Sequence, residues 1–144
     1  MTHIRLPHFY FIHRFIHPWK IKYIPDFGKI LYKYVHSLHH KSYSPTAVSG
    51  TSMHPVEATL YYSAGYVPAL FGVHPLIPIA TVVDCAIGAW IGHDGFQWPG
   101  GADFFHQLHH WHFDCNYGNP QIPLDWLFGT DISCKQDLKY VIMS

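Results

Sequence analysis

Between Ala58 and Val83 the chain carries no Asp, Glu, Lys or Arg, and Asp84 is the only charge before Asp94. The stretch ATLYYSAGYVPALFGVHPLIPIATVVDCAIGAWIG exceeds the roughly 20 apolar residues that one membrane helix needs. GVHP, Gly72 to Pro75, interrupts it near the middle. The pattern predicts two short membrane helices, about 56–71 and 76–91, joined by a tight turn. Each half is at the short end of the spanning range, so a pair of buried helices in a soluble core is the alternative. Upstream, KILYKYVHSLHH predicts a helix over about 29–40. A Pro- and Gly-broken connector, PWKIKYIPDFG, precedes it, and a loop, KSYSPTAVSGTS, follows. Downstream, NYGNPQIPLDWLFGTD is rich in turn residues, and a short polar tail ends the chain.

Composition changes this picture in three ways. The 144 residues suit one ordinary domain. Charged residues make up only 12% against 49% hydrophobic and 17% aromatic, where a soluble domain carries about 25% charged residues; the shortage points to a membrane. Net charge is +0 with no basic stripe, which excludes a general nucleic-acid partner. Seven of the nine basic residues lie before Ser42. A hairpin that enters and leaves on one side puts His36–His40 and His93–His110 on the same face, and the basic N-terminal part makes that face cytoplasmic. MTHIRLPHFYFIHRFIH has no signal-peptide pattern. Cys85, Cys115 and Cys134 form no CxxC and read as reduced thiols.

The 14 histidines outnumber either charge sign. HRFIH gives His13 and His17; HSLHH gives His36, His39 and His40; HQLHH gives His106, His109 and His110. On a helix, residues three and four apart share a face, so HxxxH presents two imidazoles together and HxxHH splays its last pair. Eight imidazoles are too many for one ion, since a tetrahedral zinc takes four ligands; they suit two ions of higher coordination number, and imidazole binds iron, zinc, copper or nickel. His3, His8, His74 and His112 fall outside this grammar and read as ordinary polar residues.

HRFIH, HSLHHKSYSPTAVSGTSMHPVE, GHDGF and FHQLHHWHFDCNYGNPQIPLDWLFGTD, in that order over about 9–131, resemble the fatty acid hydroxylase / sterol desaturase superfamily, the sterol desaturase branch most of all. The resemblance implies an all-α fold: a membrane-embedded helical hairpin with a cytoplasmic helical cap carrying an all-histidine di-metal site. It implies one domain over 1–144, integral to the endoplasmic reticulum if eukaryotic. By motif position the ligands would be His13, His17, His36, His39, His40, His106, His109 and His110, with His54 of MHPVE and His93 of GHDGF as further candidates. Glu57, Asp94, Asn116 and Tyr117 would orient the imidazoles.

The activity implied is dioxygen-dependent hydroxylation or desaturation of a sterol or related lipid at two iron ions, with zinc as a possible replacement in purified protein. Electrons would come from NAD(P)H through a reductase and a cytochrome b5-type carrier, since the chain has no dinucleotide fingerprint. The family generally carries a further membrane hairpin ahead of its first box, which Met1 to Phe11 is too short to supply. A truncated, non-catalytic membrane protein that keeps the metal scaffold is the second expectation, and a soluble histidine-rich metal-binding protein the third.

Overall fold

In the computed structural model, residues 2–42 and 44–132 are described; Cys134 and the polar tail lie outside them. Among the described residues there are six α-helices and no strand. Asn119 and Ile122 form an isolated antiparallel bridge. Helix α1 runs Thr2–Ile16, α2 Phe27–Tyr34, α3 Pro55–Ala69, α4 Leu76–Ile91, α5 Ala102–His112 and α6 Leu124–Leu127. Two 3-10 helices, His36–Lys41 and Ala47–Thr51, lie between α2 and α3.

Helix α1 is an amphipathic helix whose buried stripe ends in histidine. Leu6, Tyr10, His13, Ile16 and His17 are buried, at helical spacing, while Ile4, Phe11 and Phe15 are exposed. The connector after it is held by Asp26, which accepts from Trp19 N and Lys20 N and caps α2 through Lys29 N.

The helix expected over 29–40 is two elements. α2 stops at Tyr34, and HSLHHK winds as a 3-10 helix. His36, His39 and His40 are all buried there. Three imidazoles that must reach the interior from six consecutive residues set the winding, and tertiary placement overrides the local α preference.

The two helices expected at 56–71 and 76–91 form as α3 and α4, a hairpin that turns through Gly72 at φ 72°. Gly65 lets the two approach closely, because a Cβ there would stand 2.6 Å from Val82 Cγ2. With about 1.5 Å of rise per residue, helices of 15 and 16 residues span about 22–24 Å, short of the roughly 30 Å hydrocarbon core. No described helix is long and apolar enough to cross a membrane. The hairpin nonetheless exposes Val67, Leu70, Phe71, Leu76, Ile79 and Val83. It is fastened to α1 by the Arg5–Asp84 ion pair at 2.5 Å and by His8 Nε2 to Ser63 Oγ at 2.8 Å.

Candidate metal centre

Nine buried histidines meet in two groups. His13, His17, His36, His40 and His109 form one, and His39, His93, His106 and His110 the other; within each, one ring nitrogen per residue lies within 4.8 Å of all the others. α1 supplies His13, with His17 just after its end; the first 3-10 helix supplies His36, His39 and His40, and α5 His106, His109 and His110. His93 follows the C-terminus of α4. Each HH dipeptide is divided between the groups: His40 and His109 turn to the first, His39 and His110 to the second. Adjacent helical side chains point about 100° apart, so one dipeptide serves two neighbouring centres.

The nitrogens that converge are the Nε2 atoms. His13 and His36 stand 3.1 Å apart, His36 and His40 3.0 Å, His17 and His40 3.2 Å, and His40 and His109 3.1 Å. In the second group His93 is 3.2 Å from His39 and 3.1 Å from His110. The opposite ring nitrogens face acceptors. His13 Nδ1 donates to Tyr117 O, His109 Nδ1 to Cys115 O and His93 Nδ1 to Ala89 O, each at 2.6 Å. His110 Nδ1 donates to Ser42 O at 3.1 Å, and His36 Nδ1 meets Glu57 Oε1 at 2.7 Å, both partners fully buried in that last pair.

A carbonyl oxygen can only accept, so it fixes the proton on Nδ1 and leaves Nε2 a bare lone pair. Lone pairs about 3 Å apart repel unless a cation lies among them. Protons are disfavoured in that role. Burial pushes the pKa of His13, His17, His36, His39, His106 and His109 well below the usual histidine value, and neighbouring imidazoles push it lower. His40 and His93 are lowered by burial too, and His110 to about 4. Neutral imidazoles with Nε2 free and Nδ1 donated to a carbonyl or carboxylate are the donor set of a histidine metal site. Each group therefore fits a metal ion. The Nδ1 atoms of His39 and His40 and Oε2 of Glu57 are buried without a hydrogen-bond partner among the described residues.

The loop after α5 supplies two of those carbonyls, and Asp125 shapes it. Its carboxylate accepts from Tyr117 N, Gly118 N and Thr130 Oγ1, each at 2.7 Å. Gly118 is required there, since a Cβ would lie 2.8 Å from Asp125 Oδ2 and 3.1 Å from the Tyr10 ring. Asn116, fully buried at φ 55°, donates to Phe105 O and accepts from Ile132 N. Tyr117 contributes its carbonyl to His13 and its ring, 5.0 Å from that of His17, to the wall.

Two of the residues predicted from sequence stand elsewhere. His54 caps α3, its Nδ1 accepting from Val56 N, and lies outside both groups. Asp94 accepts from Phe96 N and Trp98 Nε1 and shapes the loop after His93, touching no imidazole by hydrogen bond. Glu57, Asn116 and Tyr117 do sit against the histidines or the loop that orients them. Sequence reasoning missed Ser42, Ala89 and Cys115, whose contributions are backbone carbonyls without a side-chain signature. It also missed Asp125, although LDWLFGTD was recognisable as a motif.

A cavity of about 80 Å³ adjoins the second group. His39, His93 and His106 line it, together with Arg5, Cys85, Leu6, Phe9, Tyr61 and Ala89. The first group contributes no residue to it. The four-histidine group is thus the one that adjoins this cavity.

The model of the fatty acid hydroxylase family matches residues 3–130, which include all nine clustered histidines. The chain belongs to the fatty acid hydroxylase family. Methylsterol monooxygenase 2-2 of Arabidopsis thaliana is 33% identical over 137 residues, covering 85% of this chain and 47% of the relative. Very-long-chain aldehyde decarbonylase GL1-11 of Oryza sativa subsp. indica matches to the same extent, 33% identical over 85% of this chain and 47% of the relative. Methylsterol monooxygenase 1 of Gallus gallus is also 33% identical, over 85% of this chain and 41% of the relative. This fatty acid hydroxylase domain spans about half the length of these curated relatives. No solved structure matches it.

Proposed function

We propose that the chain is the metal-holding part of a membrane-associated, dioxygen-dependent oxidoreductase that hydroxylates or desaturates a sterol or related lipid. The observation that carries this reading is the facing of unprotonated Nε2 atoms in two buried groups, with backbone carbonyls holding the protons on the far side of the rings. His13, His17, His36, His40 and His109 would hold one iron ion, and His39, His93, His106 and His110 the other. Iron bound there would supply the reduction of dioxygen and the capacity to take hydrogen from an unactivated C–H bond.

The chain's own residues do the rest. Phe9, Leu6 and Ala89 keep the cavity beside His39, His93 and His106 apolar and guide a carbon chain to it. Ala89 O and Ser42 O hold His93 and His110 in the tautomer that points Nε2 inward. The exposed apolar residues of the α3–α4 hairpin favour its burial in a bilayer, from which a lipid reaches the cavity. Residues 1–144 are read as one domain in this proposal, the histidines face the cytoplasm, and the membrane is the endoplasmic reticulum if the source is eukaryotic. Electrons come from NAD(P)H through a separate reductase and a cytochrome b5-type carrier.

The test is metal analysis of protein purified from membranes in detergent without added metal, followed by mass spectrometry of sterols and fatty acids incubated with carrier, reductase and dioxygen. About two irons per chain and an oxygen-dependent product support the proposal. Absence of metal would sink the site assignment. Bound metal with no product from any lipid would leave a metal scaffold without catalysis.

A further inference from the structure

Asp84 is the single charge between Ala58 and His93, and its partner is not a histidine but Arg5. Arg5 Nε reaches Asp84 Oδ2 at 2.5 Å, and the Arg5 side chain is only 16% exposed. The guanidinium fits against α4 because residue 88 is glycine: a Cβ there would lie 2.8 Å from Arg5 Nη1 and 3.2 Å from Cζ. Arg5 and Gly88 both line the cavity that His39, His93 and His106 line. Nε is used by Asp84, while Nη1 and Nη2 lie beside Gly88, which lines the same cavity. The pair is only part-buried, with the Asp84 side chain 39% exposed, so it contributes little to stability by itself. The place of Arg5 in the lining of the cavity that His39, His93 and His106 also line gives it a use that packing alone does not explain.

Building on the proposed lipid oxidation, we propose that Arg5 is the anchor for the oxygen-bearing end of the substrate, and that this end is a hydroxyl. Asp84 already balances the guanidinium charge, so a carboxylate arriving there would bury an unbalanced anion. A neutral hydroxyl accepts from Nη1 or Nη2 without that cost. The same geometry sets which carbon reacts. Gly88 lies three residues before the end of α4 at Ile91, and His93 of the four-histidine group follows two residues later, about 7.5 Å beyond Gly88 along the chain at helical rise. The substrate is a lipid alcohol whose hydroxyl stands on the order of 8 Å from the four-histidine group. Arg5 is a specificity-determining residue, about two helical turns from His13, the clustered histidine of its own helix.

The experiment measures binding without turnover, on the full chain in detergent with its metal content determined in parallel. The probes are radiolabelled cholestanol, the hydrocarbon cholestane and stearate. The wild type is expected to bind cholestanol roughly tenfold or more tighter than cholestane, as expected for a hydrogen bond to a charged donor, and to prefer it over stearate. Arg5→Met should abolish that preference with metal content retained, as should Gly88→Ala, which displaces the guanidinium. Arg5→Met leaves Asp84 unpaired, so Arg5→Met/Asp84→Leu serves as the variant that keeps the hairpin apolar and folded. An alcohol preference that survives in the double variant overturns the anchor, as does a wild type that does not discriminate alcohol from hydrocarbon. Loss of the oxidation reading would show differently, as a wild type purified without metal.

Discussion

His93 and His110 face each other with Nε2 atoms 3.1 Å apart, while each ring gives its Nδ1 proton to a backbone carbonyl, Ala89 O and Ser42 O. Two lone pairs so placed need a positive ion between them. Removing metal with a chelator is therefore expected to destabilise the fold. If free metal normally stands at about 100–1,000 times its Kd, the loss is about 3–4 kcal/mol. Thermal unfolding in detergent, before and after chelation and again after iron is restored, measures it; an unchanged midpoint would contradict the centre.

The groups have unequal numbers of ligands, and single substitutions should reveal this. His109→Ala leaves four histidines in its group, enough for a tetrahedral ion, whereas His110→Ala leaves three in the other. Metal analysis is expected to give about one ion per chain for His110→Ala and a higher value for His109→Ala. Equal losses of both ions in both variants would mean that the groups do not bind independently.

Asp125 acts on the five-histidine group through the loop that carries Cys115 O and Tyr117 O. Asp125→Ala leaves Tyr117 N, Gly118 N and Thr130 Oγ1 without their acceptor, at a cost of about 3 kcal/mol or more. Asp125→Asn keeps one acceptor oxygen and should cost about 1–2 kcal/mol. Metal titration should show weaker binding of one ion and unchanged binding of the other, since His93 and His110 of the second group are oriented by Ala89 O and Ser42 O instead. Uniform loss of both ions would point to general unfolding.

Acid should destabilise the metal-free protein. Burial lowers the folded-state pKa of His110 to about 4, against an ordinary value of 6.5. Between those values the unfolded chain binds a proton that the folded chain does not, so the contribution is complete above about pH 6.5 and is lost as pH falls toward about 4. His110 alone is worth about 3 kcal/mol across that window, and His13, His17, His36 and His109 shift the same way. Unfolding midpoints of the chelated protein from pH 8 to 5 check this; stability that rises toward acid would contradict it.

The sequence already held much of this. The charge-free run with its GVHP break fixed the α3–α4 hairpin almost to the residue, because apolar periodicity and a Pro–Gly interruption are local signals. The spacing of the three boxes marked eight of the nine clustered histidines, and the GHDGF motif marked His93. The helix expected over 29–40 was half right: α2 obeys local preference, whereas HSLHH follows the demand that its imidazoles point inward.

Only the tertiary structure decided how the histidines divide. Spacing shows that HH pairs splay, but the assignment of His40 and His109 to one group and His39 and His110 to the other depends on where α1, α5 and the end of α4 meet. It likewise set His54 at a helix cap rather than in the centre, and brought Asp84 to Arg5 across 79 residues. The carbonyls of Ser42, Ala89, Cys115 and Tyr117, which fix the tautomers, belong to the backbone. Every residue has a carbonyl, so no residue type announces one that is used; only the path of the folded chain can aim it.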